Sequence, residues 1–274
     1  RNALMSAPAW STNRPPRRSP ISTPPLRLPG QSVDERMSLL QAKIDDLLIA
    51  PLCFVVVAGY GWIQWWTARP LHPVILTTVA LITILYAWKK ILPLKSSIKQ
   101  LRLGRDGERL VGQMLEQLRQ KGYRVFHDIP APGFNIDHAI VGAAGIFTIE
   151  TKMRTKPARG RSKIFYDGTT LRMEGKAPND EPLNQVRAQA RWLANILNDG
   201  HAKGLKVRPI LVFPEWYVER TGHRSKDDVW VLNPRALDKF LDLEPALLST
   251  SSVDAAAQAL TQYCRYSLEH TALA

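Results

Sequence analysis

Three charged residues in one short stretch could do phosphoryl chemistry: Asp137, then Glu150 thirteen positions on, then Lys152 two beyond that. Glu150 and Lys152 stand at i and i+2, so on a β-strand they share a face while Thr151 points the other way. Gly142-Ala143-Ala144-Gly145 lies between the carboxylates and predicts a turn that lays two strands side by side, carrying Asp137 next to Glu150. Two carboxylates suit Mg²⁺, a hard cation that prefers oxygen ligands and keeps waters for a substrate. An ammonium beside them can orient an attacking water and stabilise charge building on a phosphate. The spacing alone also fits a surface hairpin with a solvated ion pair. What separates the two readings is the apolar run ahead of Glu150 (Ala144, Ile146, Phe147, Ile149), which predicts a buried strand. Charges at the end of such a strand are costly unless paired or metal-bound.

Further blocks surround these residues in order. Gly104-Arg105-Asp106-Gly107-Glu108 precedes them; Asn135-Ile136-Asp137-His138, Gly145-Ile146-Phe147 and Ile149-Glu150-Thr151-Lys152 form the centre; Pro182-Leu183-Asn184-Gln185 and Leu211-Val212-Phe213 follow. With these blocks, residues 104 to about 213 resemble the nuclease-related domain (NERD) family, a branch of the PD-(D/E)xK nuclease superfamily. The resemblance implies an α/β fold, a restriction-endonuclease-like mixed sheet flanked by helices, over 99–214. It implies Asp137 and Glu150 as metal ligands, Lys152 as the catalytic lysine, Glu108 as an accessory acid from the first helix, and Gln185 at the site's edge. It implies Mg²⁺ (or Mn²⁺) as cofactor and nucleic acid, DNA by family analogy, as substrate. Between Lys152 and Pro182 little matches.

The formal net charge is +13, and its distribution is uneven. Residues 152–163 hold six basic side chains, Lys152, Arg154, Lys156, Arg159, Arg161 and Lys163, and no acidic one. Pro157 and Gly160 mark this stretch as a loop. It reads either as a solvated basic loop or as a phosphate-gripping one, since phosphate contacts supply most non-specific nucleic-acid affinity. Arg154, Lys156, Arg159, Arg161 and Lys163 are the candidate contacts, and Phe165 and Tyr166 could stack on a base, though strand core is the commoner place for them. Cys53 and Cys264 are too far apart and too few for a disulfide framework or a zinc site. The six histidines show no metal-ligand pairing, and His138, beside Asp137 but on the opposite strand face, reads as structural.

Two apolar runs come first. Leu47–Trp66 contains only Gln64 as a strongly polar residue, and Leu71–Trp88 is uncharged. At about 1.5 Å per residue each reaches roughly 27–30 Å, the thickness of a bilayer's hydrocarbon core. Trp62, Trp65, Trp66, Tyr86 and Trp88 close the spans as interfacial aromatics do. The pattern predicts a transmembrane helical hairpin over 47–88 (47–66 and 71–88); the alternative is an apolar face packed on another protein. Residues 1–46 carry seven Lys/Arg, Lys89, Lys90 and Lys95 follow the hairpin, and its loop carries only Arg69. The positive-inside rule then places a multi-pass protein in the inner membrane with both termini and the nuclease-like domain in the cytoplasm. Residues 1–31, rich in Pro, Ser and Arg, are expected to be disordered and show no apolar signal-peptide core. Ser32-x-x-Glu35 reads as a capping box opening an amphipathic helix over 32–46, with Met37, Leu40, Ile44, Leu47 and Leu48 on one face. That helix would lie on the bilayer or run into the first span.

Residues 89–98 are expected to be a basic connector interrupted by Pro93, followed by a helix from about Ser97 to Gly122. Strands are expected over 123–128, 134–141, 146–152, 207–213 and 228–232, with an excursion at 163–172 and helices over 182–198, 234–243 and 253–269. Residues 215–274 read as a C-terminal α/β extension. The function these features predict is a membrane-anchored, metal-dependent nuclease hydrolysing phosphodiester bonds. The competing reading is a non-catalytic membrane protein that keeps the fold to bind nucleic acid or a partner in a DNA-transfer or envelope-associated complex.

Overall fold

The computed structural model describes residues 26–67, 73–156, 162–198, 204–221 and 229–271. Two long helices open it, α1 (Gln31–Trp66) and α2 (Pro73–Glu116). Both are long and apolar enough to cross a membrane. Between them, small side chains make the seam: Ala58, Ala80 and Ala87 are buried, while Leu52, Val56, Ile63, Val74, Ile82 and Leu85 are exposed. This inversion, with small residues inside and large apolar ones outside, is how helices pack in lipid rather than in water. The expected tail 1–25 and the inter-helix residues 68–72, with Arg69, lie outside the described residues.

The amino-terminal expectations need three corrections. The segment 26–31, assigned above to a disordered tail, is ordered, because Arg27 ion-pairs with Asp128 and Leu26 packs on a hydrophobic core. The capping box does not form: Gly30 is the N-cap of α1, and Ser32 and Glu35 turn to Asp128 and Arg27 instead. The 89–98 connector is helical, and α2 runs through Pro93 without a break. Ile91, Leu94 and Ile98 pack against Ile44 and Leu47 of α1, so burial on both sides of Pro93 carries the helix past it. The amphipathic face of 32–46 is thereby spent on α2, and α1 continues straight into the apolar run.

After a short 3₁₀ turn (Gln117–Lys121) come β1 (Arg124–Ala131), β2 (Phe134–Gly142), β3 (Gly145–Thr151), β4 (Lys163–Tyr166) and β5 (Leu171–Met173). Then follow α3 (Glu181–Asn198), β6 (Val207–Val212), β7 (Tyr217–Arg220), β8 (Trp230–Leu232), α4 (Leu237–Asp242) and α5 (Thr250–Thr271). The main sheet has the order β1-β2-β3-β6-β8, antiparallel through β3 and parallel beyond it. This is the expected mixed α/β sheet flanked by helices. One face packs Ile140, Phe147, Ile149 and Ile210 on Val111 and Leu115 of α2. The other packs Ile136, Val141 and Ile146 on Leu193 of α3 and Val253, Ala256 and Leu260 of α5. The strand alternation that this requires is legible in β3, where successive residues divide between the two cores. The region beyond 214 thus supplies an edge strand and a core helix of the same sheet.

A second, three-stranded sheet, β5-β4-β7, closes the 163–172 excursion. Its third strand, Tyr217–Arg220, is not anticipated by the sequence, because four residues with Tyr217 and Val218 followed by the charged Glu219 and Arg220 show neither alternation nor a fully buried face. Cys53, exposed, and Cys264, buried, are both free thiols.

Gly142 ends β2 where the ring of Tyr123 lies against it: an added Cβ would meet Tyr123 Cδ1 at 2.3 Å. Tyr123 is itself buried, so it has little room to yield. Gly142→Ala is therefore expected to destabilise the domain by about 1–3 kcal/mol, measured by denaturant unfolding; an unchanged midpoint would refute this packing.

Candidate active site

The turn at 142–145 does what its sequence implies. It pairs His138 with Ile149 across β2 and β3 and brings Asp137 beside the carboxyl end of β3. The backbone N–H of Thr151 donates to Asp137 Oδ2 at 2.7 Å, joining the two candidate ligand strands directly. Glu150 is 4 % exposed, and every partner of its carboxylate is polar. Lys152 Nζ donates to Glu150 Oε1 at 2.7 Å and to Gln185 Oε1 at 2.8 Å. Gln185 Nε2 returns a bond to the same Glu150 Oε1 at 2.8 Å, closing a three-membered ring of contacts. The parallel strand β6 holds the end of β3 in place, with Glu150 opposite Leu211 and the Lys152 N–H bonded to Val212 O at 2.9 Å.

Glu150 Oε2 is held by a residue the sequence reading missed. Gln189 Nε2 donates to it at 2.7 Å, and Gln189 is 1 % exposed. The available signal was spacing: Gln185 and Gln189 stand at i and i+4, on one face of α3. Glu108 arrives from α2, partly buried. Desolvation, and then the negative charges of Asp128 and Glu150, push its carboxyl up to about 7. Asp137 is likewise held well above the usual carboxylate range, first by desolvation and then by Glu150 and Glu108. The structure therefore gathers Asp137, Glu150, Lys152, Gln185 and Glu108 at one end of β3.

Among the described residues, no group of three or more His, Cys, Asp or Glu is spaced to hold a metal ion by itself. Asp137 and Glu150 crowd negative charge that a divalent cation would relieve. Of the Asp137 oxygens only Oδ2 is engaged by a described residue, whereas both Glu150 oxygens are bonded, Oε1 to Lys152 and Gln185 and Oε2 to Gln189, so a metal there would have to displace or share one of these partners. Two protein carboxylates, with solvent or substrate completing the shell, is a pattern Mg²⁺ favours.

Behind Asp137, His138 is fully buried and pairs through Nδ1 with His127 Nδ1 at 2.9 Å, while His127 Nε2 meets Glu116 Oε1 at 2.8 Å. Burial holds both rings below the usual histidine range, so both are neutral at pH 7. If His127 donates to Glu116, its Nδ1 must accept from His138. His138 thus has the structural place expected for it.

The basic loop is only partly described. Arg159 and Arg161 lie outside the described residues. Arg154 is exposed, and its carbonyl accepts from Trp216 Nε1 at 3.1 Å. Lys156 faces Glu215 at 3.5 Å and Lys163 faces Glu219 at 2.8 Å. Among the described residues of the loop, none of the side chains of Arg154, Lys156 and Lys163 bonds to Asp137 or Glu150. Tyr166 is core, 1 % exposed, which removes it as a stacking residue. Phe165 stays partly exposed beneath Arg172, 5.0 Å from guanidinium to ring.

Two carboxylates and a lysine thus come together at the end of the central strand of a mixed α/β sheet. Residues 103–214 match the family model described as Nuclease-related domain, NERD. The match covers both candidate ligands, Lys152, Glu108 and Gln185, and supports the NERD family for this part of the chain. No curated protein and no solved structure matches the chain.

Glu108 gives a pH test with a defined sign. An ordinary glutamate ionises near 4.5, whereas this one ionises only near 7. Ionising it opposes folding, so the cost is absent below pH 4.5, grows through the interval and is complete above pH 7. Glu108→Gln stays neutral throughout. In EDTA the variant is expected to match wild type in stability at about pH 4 and to exceed it at about pH 8. Parallel stability curves across that range would refute the shift.

Proposed function

We propose that this chain is a membrane-anchored, metal-dependent nuclease that hydrolyses phosphodiester bonds in DNA on the cytoplasmic side of the inner membrane. The observation that carries the proposal is the burial of Glu150 beside Asp137, with Lys152 bonded to the same carboxylate. A module that only binds nucleic acid has no need to crowd carboxylates at the buried end of a central strand, where they repel the phosphate it would bind.

Asp137 and Glu150 would hold Mg²⁺ or Mn²⁺, which would supply Lewis-acid stabilisation of charge on the phosphate. The remaining chemistry belongs to the chain. Hydrolysis joins a water oxygen to phosphorus, breaks the bond to the leaving oxygen, and moves a proton to that oxygen. Glu108, titrating near 7, can take a proton from water at physiological pH. Lys152, fixed between Glu150 and Gln185, presents a positive charge where the phosphate would become more negative. The loop from Arg154 to Lys163, with Arg159 and Arg161, would grip flanking phosphates without reading bases.

Two experiments test this. In the detergent-solubilised full chain, Asp137→Ala, Glu150→Ala and Lys152→Ala are each expected to lower Mg²⁺-dependent cleavage of plasmid or linear DNA by roughly a hundredfold or more. Cleavage persisting at wild-type rate in all three folded variants would remove the assignment. A wild type inactive with every metal and substrate would favour a binding module. For topology, reporter fusions after residues 46, 69 and 96 are expected to report cytoplasm, periplasm and cytoplasm in turn. A reporter at 96 active only outside the cytoplasm would overturn the orientation.

A further inference from the structure

The residues just ahead of the apolar part of α1 are fastened to the sheet and to α2 at several points. Leu26 packs with the core on the α3 and α5 face. Pro29 crosses α2 at Gly112, where an added Cβ would meet the proline ring at 2.5 Å. Asp34 takes one guanidinium from Arg105 at 3.0 Å and another from Arg109 at 2.5 Å. The centre of the attachment is Asp128, on β1. Its Oδ2 accepts from Arg27 Nη1 at 3.1 Å and from the backbone N–H of Ser32 at 2.7 Å, and its Oδ1 accepts from the Ser32 hydroxyl at 2.6 Å.

Asp128 is 2 % exposed and sits at φ +48 inside a strand. Such a backbone is uncommon for a residue with a side chain and is kept only where its surroundings hold it there. Here it turns the carboxylate toward the start of α1, whose first N–H groups lack partners within the helix. A remote carboxylate thus does what the local Ser32–Glu35 box does not.

The same carboxylate also faces the site. Asn135 Nδ2 donates to Asp128 Oδ1 at 2.9 Å. The backbone carbonyl of Asn135 accepts from Gln189 Nε2 at 3.3 Å, and that Nε2 donates to Glu150 Oε2 at 2.7 Å. Ser32, Asp128, Asn135, Gln189 and Glu150 therefore form one continuous line of polar contacts. If Asp128 merely capped a helix, it would end at Ser32 and Arg27. Instead, its fourth contact fixes Asn135, two residues before Asp137 on the strand that carries it.

We infer that Asp128 is a positioning residue for the candidate site: it fastens residues 26–35 to β1 and, through Asn135 and Gln189, sets the direction of the Glu150 carboxylate. Catalytic groups must be held to within about 0.5 Å of their working geometry, and a hydrogen-bonded line of buried groups can do this. On this account the segment before the apolar helices is part of the domain, and a chain lacking it would leave Asp128 with Asn135 alone among these partners. The activity readout below rests on the hydrolytic function proposed above; the exchange readout does not.

The test uses the full chain in nanodiscs, with Ser32→Ala, Asp128→Asn and the conservative Ser32→Thr. By amide hydrogen exchange, Ser32→Ala and Asp128→Asn are expected to exchange faster at 135–137 and 150–151, remote in sequence from Ser32. Ser32→Thr, which keeps the hydroxyl, is expected to behave as wild type. Faster exchange confined to 26–36 would overturn the inference. In cleavage assays kcat is expected to fall roughly tenfold in Ser32→Ala with KM within about twofold, the sign of a contact used in the reaction rather than in binding. An unchanged kcat would overturn the positioning role even if exchange spreads. A loss that Ser32→Thr does not restore would overturn it too. If Asp128→Asn does not fold, Ser32→Ala decides, since it leaves the buried carboxylate and Arg27 in place. If wild type does not cleave, the nuclease function falls, and the exchange arm alone decides whether Asp128 reaches Glu150.

Discussion

Everything in the domain answers to one buried carboxylate. Glu150 lies at the end of β3 with 4 % of its surface exposed, and a charge so placed is tolerated only when each oxygen is hydrogen-bonded. Oε1 receives Lys152 and Gln185, and Oε2 receives Gln189. Two of these three donors come from successive turns of α3, so that helix must lie across the end of β3 with one polar face turned inward. The chain between Lys152 and α3 must then leave the sheet and return. The small sheet β5-β4-β7 occupies that interval, and β6 comes back parallel beside β3 to hold the end of the strand from the other side.

Compensation stops at Glu150. Asp137 and Glu108 sit within its electrostatic reach, receive little positive charge of their own, and are both held well above the usual carboxylate range. The contrast with the nearby His127–His138 pair is instructive. There burial is met by neutrality, and the two rings share a proton donor and acceptor without any net charge. Both groups answer burial by favouring the neutral form; the histidines reach it by losing a proton, whereas the carboxyls reach it by holding one, and a cation nearby would offset their charge instead.

How much of this the sequence revealed depended on whether the cause was local. The i, i+2 spacing of Glu150 and Lys152, with the turn before them, was enough to place both on one strand face next to Asp137, because strand alternation is a local rule. Gln189 escaped notice because a glutamine in an amphipathic helix looks the same whether its face meets solvent or a carboxylate. Ser32 and Glu35 misled for the converse reason: their local pattern was correct for a capping box, but Asp128, 96 positions away, accepts the Ser32 backbone N–H that Glu35 would have taken, and Glu35 pairs with Arg27. Pro93 misled because the packing of Ile91 and Leu94 on α1 outweighs the one backbone bond a proline removes. Strand β7 was hidden because its partner, β4, lies across the chain from it, and pairing of that kind leaves no mark in either segment alone.

The unbroken course of α2 has a mechanical meaning. One helix begins among the apolar residues at Pro73, passes Trp88 and Pro93, and carries Glu108 into the site before ending at Glu116. It is a shaft, and it fixes two quantities together. Each residue added between Trp88 and Glu108 would lift the acid by about 1.5 Å along the axis and swing it about 100° around it. Height and azimuth cannot be changed independently. Lengthening this shaft by one or two residues would turn the acid away from β3, whereas a change close to a whole number of turns would raise it and leave it facing the strand. Tolerance of insertions here should therefore be periodic, following the pitch of the helix rather than the number of residues.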